Sequence, residues 1–270
     1  MAAPLRILAV TLTVPDLARA DKFYRWVLAM KTSEEAAAEG TVSLGWGKED
    51  RIVLVDAEAP GAEEAITLRL PAMTVDAAAT WLADREFAPE RAIVPPADEP
   101  AARAAWPGAA IETAADPATH NRLLLTIRGP MEPRIDLHVA LPAAVVGGRG
   151  TIGPFLWRSE DRSDLEIPGL LGVTTGAPDT EKARALLATL GIDPIEDDAG
   201  PLGVGDHQWI VEEKDTAGIY GIAVVLQAGR IMDLVRTLEK LEARYRHDGN
   251  RLIAVDPAGR VLLVHGIKSG

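Results

Sequence analysis

Three polar side chains alternate along "PRIDLHVA": Arg134, Asp136 and His138 fall on one side of an extended chain, and Ile135, Leu137 and Val139 on the other. A carboxylate two residues from an imidazole on one strand face is a candidate acid/base pair, Asp136 with His138, and a nearby guanidinium can stabilise a developing oxyanion. Two further segments share the pattern. "RILAVTLTV" turns Ala9, Thr11 and Thr13 away from Leu8, Val10 and Leu12, and "AITLRL" sets Ala65, Thr67 and Arg69 opposite Ile66, Leu68 and Leu70. If the three strands lie in one sheet with these faces aligned, hydroxyls, guanidiniums, a carboxylate and an imidazole suit hydrogen bonding to an oxygen-rich small molecule. The same set also fits a wet sheet face on which Arg69, Arg134 and Asp136 make ion pairs of little energetic consequence.

Several other chemistries lack their residues. The chain of 270 residues has no cysteine, which removes disulfides, thiolate zinc sites and cysteine nucleophiles together. It carries no Walker loop, HExxH, GxSxG or strand-to-helix GxGxxG. A net charge of -12 and sparse aromatics argue against nucleic acid and anionic lipid as partners. A small organic ligand, cationic or oxygen-rich, fits better. No apolar run approaches the roughly 20 residues of a membrane span, and "LRILAVTLTV" is not followed by a small-residue cleavage site, so a soluble, cytoplasmic protein is expected.

The elements that position these side chains repeat. A period-two strand, a helix of 3.6 periodicity and further short strands recur four times, over about 5–57, 64–140, 167–214 and 218–267. In the first copy Asp16 is the expected N-cap of "LARADKFYRWVLAM". Glycines and prolines in "LPAAVVGGRGTIGP" mark a linker, which divides the chain into domains 1–141 and 167–270 joined by 142–166. Within the second copy, "APERAIVPPADEPAARAAWPGA" is long and Pro-rich for a connection; it is either a lid with Trp106 as apolar anchor or an insertion that touches no ligand.

A βαβββ unit present four times, with "TVPDLARADKFY" near the start and "VDPAGRVLLVHG" near the end, resembles the vicinal oxygen chelate superfamily, which includes glyoxalase I, extradiol dioxygenases and bleomycin-binding proteins. The resemblance implies an α+β fold of two tandem half-barrel cups, with the polar faces of the first and second copies lining the concave side of the first. It also implies where a metal ligand belongs. The first-strand positions fall on Ala9, Ala65, Gly172 and Gly221, and the last-strand positions on Leu54, Asp136, Ile210 and Leu263. Only Asp136 can coordinate, and a catalytic metal needs about three protein ligands. No metal or other cofactor is therefore expected, and extradiol dioxygenase and glyoxalase I chemistry are excluded.

Two residues past each last-strand position stand Asp56, His138, Glu212 and His265, one acid and one histidine per cup. They read as solvated strand ends, as acid/base pairs or as a displaced metal site. The remaining histidines, His120, His207 and His247, read as surface residues. The second cup, with Gly172, Thr174, Ala223, Val225 and Leu263, is small and apolar, which suits a structural or dimerising role or a greasy ligand. The expected function is metal-independent binding of a small molecule in the first cup, through Thr11, Thr13, Asp56, Thr67, Arg69, Trp106, Arg134, Asp136 and His138. The alternatives are a metal-free lyase, isomerase or hydrolase using Asp136 and His138, and a scaffold for a protein partner.

Overall fold

The computed structural model describes residues 5–32, 39–46, 51–114, 122–127, 133–140, 168–193, 202–204 and 207–267. The expected linker 142–166 and His120 lie outside them. Among the described residues no helix is long and apolar enough to cross a membrane.

The first copy forms β1 (Arg6–Val14), α1 (Leu17–Leu28), β2 (Lys31–Thr32), β3 (Thr41–Gly45) and β4 (Arg51–Asp56). The second forms β5 (Ala65–Leu70), α2 (Val75–Ala83), β6 (Arg91–Val94), α3 (Glu99–Ala105), β7 (Ala110–Thr113), β8 (Arg122–Ile127) and β9 (Arg134–Ala140). All nine strands share one sheet in the order β2-β3-β4-β1-β5-β9-β8-β6-β7, closed at its centre by the antiparallel pairing of β1 with β5.

The third copy contributes β10 (Gly169–Ala177), α4 (Thr180–Thr189), β11 (Leu202–Val204) and β12 (His207–Glu213). The fourth adds β13 (Gly218–Gln227), α5 (Ile231–Lys240), β14 (Tyr245–Asp248), β15 (Arg251–Val255) and β16 (Val261–Ile267). They form a seven-stranded sheet, β11-β12-β10-β13-β16-β15-β14, in which β10 and β13 take the places of β1 and β5. This is a mixed α+β architecture, with two sheets and five α-helices among the described residues.

Local chemistry explains the repeats. Asp16 caps α1 by accepting from the Arg19 amide at 2.9 Å, and Asp179 caps α4 by accepting from the Lys182 amide at 3.0 Å, so "PD" after the first strand starts both helices. Alternation then sorts the first sheet. Val10, Leu12, Ile52, Leu54, Ile66, Leu68, Ile135 and Leu137 are all buried on one face, packed in a common cluster with Phe23, Tyr24 and Val27 of α1. One expected core residue is displaced: a bulge between Ile7 and Ala9 shifts the phase, so Ile7 is buried and Leu8 turns to the other face.

The long connection in the second copy is not a lid. It folds as β6, α3 and β7, and α3 packs on α2. Trp106, 6% exposed, joins the core with Ala92, Val94 and Ala102. An indole with that much apolar surface is held by the dry side of the sheet, which takes it away from any ligand on the opposite face.

A buried polar cluster joins the two sheets. In the turn between β15 and β16, Asp256 accepts from the Ala258 and Arg260 amides at 2.9 and 2.8 Å, which aims the Arg260 side chain at the first sheet. Arg260 donates to the Thr13 carbonyl at 2.7 Å, to the Ile219 carbonyl at 3.1 Å and to Glu64. Glu64 in turn accepts from the Ile219 amide at 2.6 Å. From the first sheet's side, Tyr24 of α1 donates to Asp256 at 2.8 Å. Burial, and after it the Asp256 charge, raise the Tyr24 pKa well above its usual value, so the phenol stays a donor. His207, read from sequence as a surface residue, is 2% exposed and accepts from the Ile7 amide at 3.3 Å, again across the two halves.

Removing one member of such a cluster strands a charge in low dielectric. Arg260→Ala is expected to lower stability by about 3 kcal/mol in urea denaturation. Glu64→Gln, which leaves both backbone contacts of Arg260 in place, should cost about 1–2 kcal/mol.

Candidate functional site

The face of the first sheet opposite the core carries the polar side chains, and cross-strand register fixes their neighbours. One row runs from Arg51 on β4 through Ala9 on β1, Thr67 on β5, Asp136 on β9 and Thr126 on β8 to Arg91 on β6. The next holds Ser43, Val53, Thr11, Ala65 and Arg134. On the other flank Arg69 pairs with His138, and His138 with Leu124. Thr11, Thr13, Thr67, Arg69, Arg134, Asp136 and His138 therefore share one surface.

Both oxygens of Asp136 are engaged. Its 6% exposed carboxylate accepts from Thr126 Oγ1 at 2.8 Å and, in bidentate fashion, from Arg134 at 3.1 and 2.9 Å. Arg134 also reaches Glu63 at 3.1 Å. The result is a rigid, charge-assisted platform. At its edge Arg91 and Glu112 make a second bidentate pair at 2.8 and 2.7 Å; the hydrogen bond from Arg91 lowers the Glu112 pKa, although both groups are about half exposed and the pair adds little stability. Ser43 Oγ is buried with no hydrogen-bond partner among the described residues. The sequence reading missed Arg51, Arg91, Glu112, Thr126 and Ser43. Alternation in "RIVLVD" and "NRLLLTIRG" contains the signal for Arg51 and Thr126; Glu112 is brought in only by the folding of the 88–114 connection.

Other expected site residues are placed elsewhere. Asp56 pairs with Val14 at the end of the core face and accepts from the Glu58 amide at 3.0 Å; with Pro15, Asp16, Leu17, Asp21 and Val42 it borders a hollow beside the start of α1. It does not meet His138, because β4 and β9 are separated by β1 and β5, about 14 Å in all. The last-strand position assigned to Leu54 also belongs one residue earlier: Leu54 is buried opposite Leu12, and Val53 shares the row of Thr11. Trp106 is in the core, as described above.

The second sheet presents a different surface. Its concave row is Gln208, Gly172, Ala223, Leu263 and Ile253, flanked by Ile210, Thr174, Gly221 and Val261. Glu212 pairs with Lys214 at 3.0 Å and is three strands from His265. His265 faces Arg251 instead. Burial first, and the Arg251 charge second, lower its pKa below the usual 6.5. Of the readings offered by the sequence, the pairing of Glu212 with this imidazole does not occur.

No family model matches the chain, and no curated protein does. Solved structures do. A halotolerant catechol dioxygenase, BphC, aligns over 99% of this chain and 87% of its own with TM-score 0.62 and 12% identity. Homoprotocatechuate 2,3-dioxygenase from Arthrobacter globiformis aligns over 98% and 80% with TM-score 0.60 and 18% identity. The chain has the vicinal oxygen chelate fold. A Mn(II)-bound glyoxalase from Novosphingobium aromaticivorans shares it, over 98% of this chain and 82% of its own, with TM-score 0.58 and 12% identity.

Vicinal oxygen chelate neighbours of this kind raise the question of a metal, and the residues here do not fit one. Ala9, Ala65, Gly172 and Gly221 bring no donor, Val53, Ile210 and Leu263 are apolar, and the Asp136 oxygens are taken by Thr126 and Arg134. Among the described residues no three His, Asp or Glu side chains converge as a metal site. At Gly172 the exclusion is also steric. A Cβ there would stand 2.3 Å from the Gln208 carbonyl oxygen, so no side chain enters without moving backbone.

Gly172→His is accordingly expected to destabilise the protein by about 1–3 kcal/mol, as overpacking does, and to recruit no metal; denaturation and elemental analysis check both. His265 sets a pH dependence. Its folded pKa is depressed, so its contribution is present above the unfolded value of 6.5 and is lost as pH falls through the folded value. His265→Gln should shrink the drop in Tm on going from neutral to about pH 5.

Proposed function

We propose that the protein binds a small organic molecule on the concave face of its first sheet, using hydrogen bonds in place of a metal ion. The observation that carries this reading is the engagement of Asp136. At the one expected ligand position with a donor side chain, both oxygens are held by Arg134 and Thr126, which makes it part of a fixed hydrogen-bonding surface. Thr11 and Thr67 stand in rows beside Ala9, and the buried Ser43 hydroxyl lacks a partner among the described residues, as a group does that a ligand or water satisfies.

The metal-free enzyme reading is less well supported. A general base needs an available lone pair within reach of a substrate proton, and three of the roughly four lone-pair sites of the Asp136 carboxylate are taken by Arg134 and Thr126. The acid and histidine pairs Asp56/His138 and Glu212/His265 are each held apart by intervening strands.

Elemental analysis of purified protein and thermal shift against a panel of neutral, cationic and anionic metabolites test the proposal together. The expected result is substoichiometric metal and a ligand that stabilises the fold by about 2.7 kcal/mol at a hundred times its Kd. Thr67→Val should weaken that ligand with little effect on the unliganded Tm. Stoichiometric metal bound on the concave face, or a panel with no stabilising member, would overturn the reading.

A further inference from the structure

Charge is segregated in the first sheet in a way the whole chain does not suggest. The concave face of its strands carries Arg6, Arg51, Arg69, Arg91, Arg122 and Arg134, six arginines, against the strand carboxylates Asp136 and Glu112, with Glu63 reaching Arg134 from the turn before β5. This excess sits in a chain whose net charge is -12. Both strand carboxylates are already paired, Asp136 with Arg134 and Glu112 with Arg91. A cationic surface with concave, low-dielectric walls focuses its field and concentrates anions.

We propose that the ligand of this face is a small organic anion, its carboxylate held between Arg51 and Arg69 above Ala9. The inference rests on the reading of this face as a small-molecule site and names the class of molecule, replacing the cationic ligand suggested by net charge alone. Arg51 and Thr67 flank Ala9 in register, and Arg69 lies two residues beyond Thr67 on β5. Strands β4 and β5 stand about 9.6 Å apart across β1, twice the inter-strand spacing, a gap two long side chains can span. Ala9 lies in the row of Arg51 and Thr67; Arg69 stands in the next row opposite Arg6, and Leu8 turns to the same face between them. Thr67 adds a hydroxyl at the floor, and guanidinium forks match the planar geometry of a carboxylate. Arg51 and Arg69 each have interactions within the chain, and the ligand carboxylate exchanges for or joins them.

Isothermal titration with benzoate and citrate, compared with benzamide and benzylammonium, tests the assignment. At least one anion is expected to bind about tenfold more tightly than either comparison compound, and added salt should weaken it. Arg51→Gln and Arg69→Gln should each cost about tenfold in that affinity, with Arg69→Lys recovering part of it; Arg230→Gln, exposed ahead of α5, should leave it unchanged. Folding of each variant is read from its thermal transition, and the lysine variant keeps the test valid if a glutamine variant is unstable. Equal or tighter binding of benzamide or benzylammonium on this face, or anion binding indifferent to both arginines, overturns the charge assignment and leaves the small-molecule reading standing. Failure of every probe, of any charge, removes both.

Discussion

A residue on a β-strand has two faces available and no third, and everything that can be said about this protein's chemistry depends on that constraint. In the first sheet it separates Val10, Leu12, Ile52, Leu54, Ile66, Leu68, Ile135 and Leu137 from Thr11, Thr67, Arg69, Arg134 and Asp136 with almost no exception. Burying the first set is the favourable step. The polar set is carried to the opposite surface as its geometric consequence, and parallel or antiparallel register then decides which members are neighbours. Slipping one strand by a residue exchanges the faces, so register is strongly specified wherever the core is dry.

Within a fold shared with a Mn(II)-bound glyoxalase, the inner surface of the first sheet carries a hydrogen-bonded cluster. Arg134 supplies Asp136 with a counter-charge that is covalently tethered and cannot dissociate, and Thr126 fixes the carboxylate from the next strand. In the second sheet the restriction is steric, because at Gly172 the backbone of β12 occupies the space a side chain needs. At Ala9 the restriction lies only in the residue type. The two sheets thus differ: the first concave face carries arginines and hydroxyls, and the second exposes Ile210, Ile253 and Val261.

The second sheet also braces the first. The turn between β15 and β16, organised by Asp256, projects Arg260 onto the end of β1 and the start of β5, the two strands at the centre of the first sheet. Tyr24 closes the cluster from α1, and His207 adds a contact to Ile7 at the bulge. The strand that carries Ala9 is thus held at both its bulged start and its end by groups from the other half. The hydrogen-bonded cluster on that face depends on such bracing, since directional contacts weaken when strands shift.

The sequence by itself determined the fourfold strand-then-helix order, the helix cap at Asp16, the dry and polar faces of β1, β5 and β9, and the lack of donors at every expected metal position but Asp136. Each is local: a period, a capping side chain or a residue type is legible within a few positions. Only tertiary structure decided what depends on register and long-range contact. It moved Leu8 out of the core through a bulge, put Asp56 on the wrong face to meet His138, and drew Trp106 and His207 into the interior. It also gathered arginines from six strands onto one surface of an acidic chain. Net charge is a sum without position, and strand pairing is what assigns each charge a place.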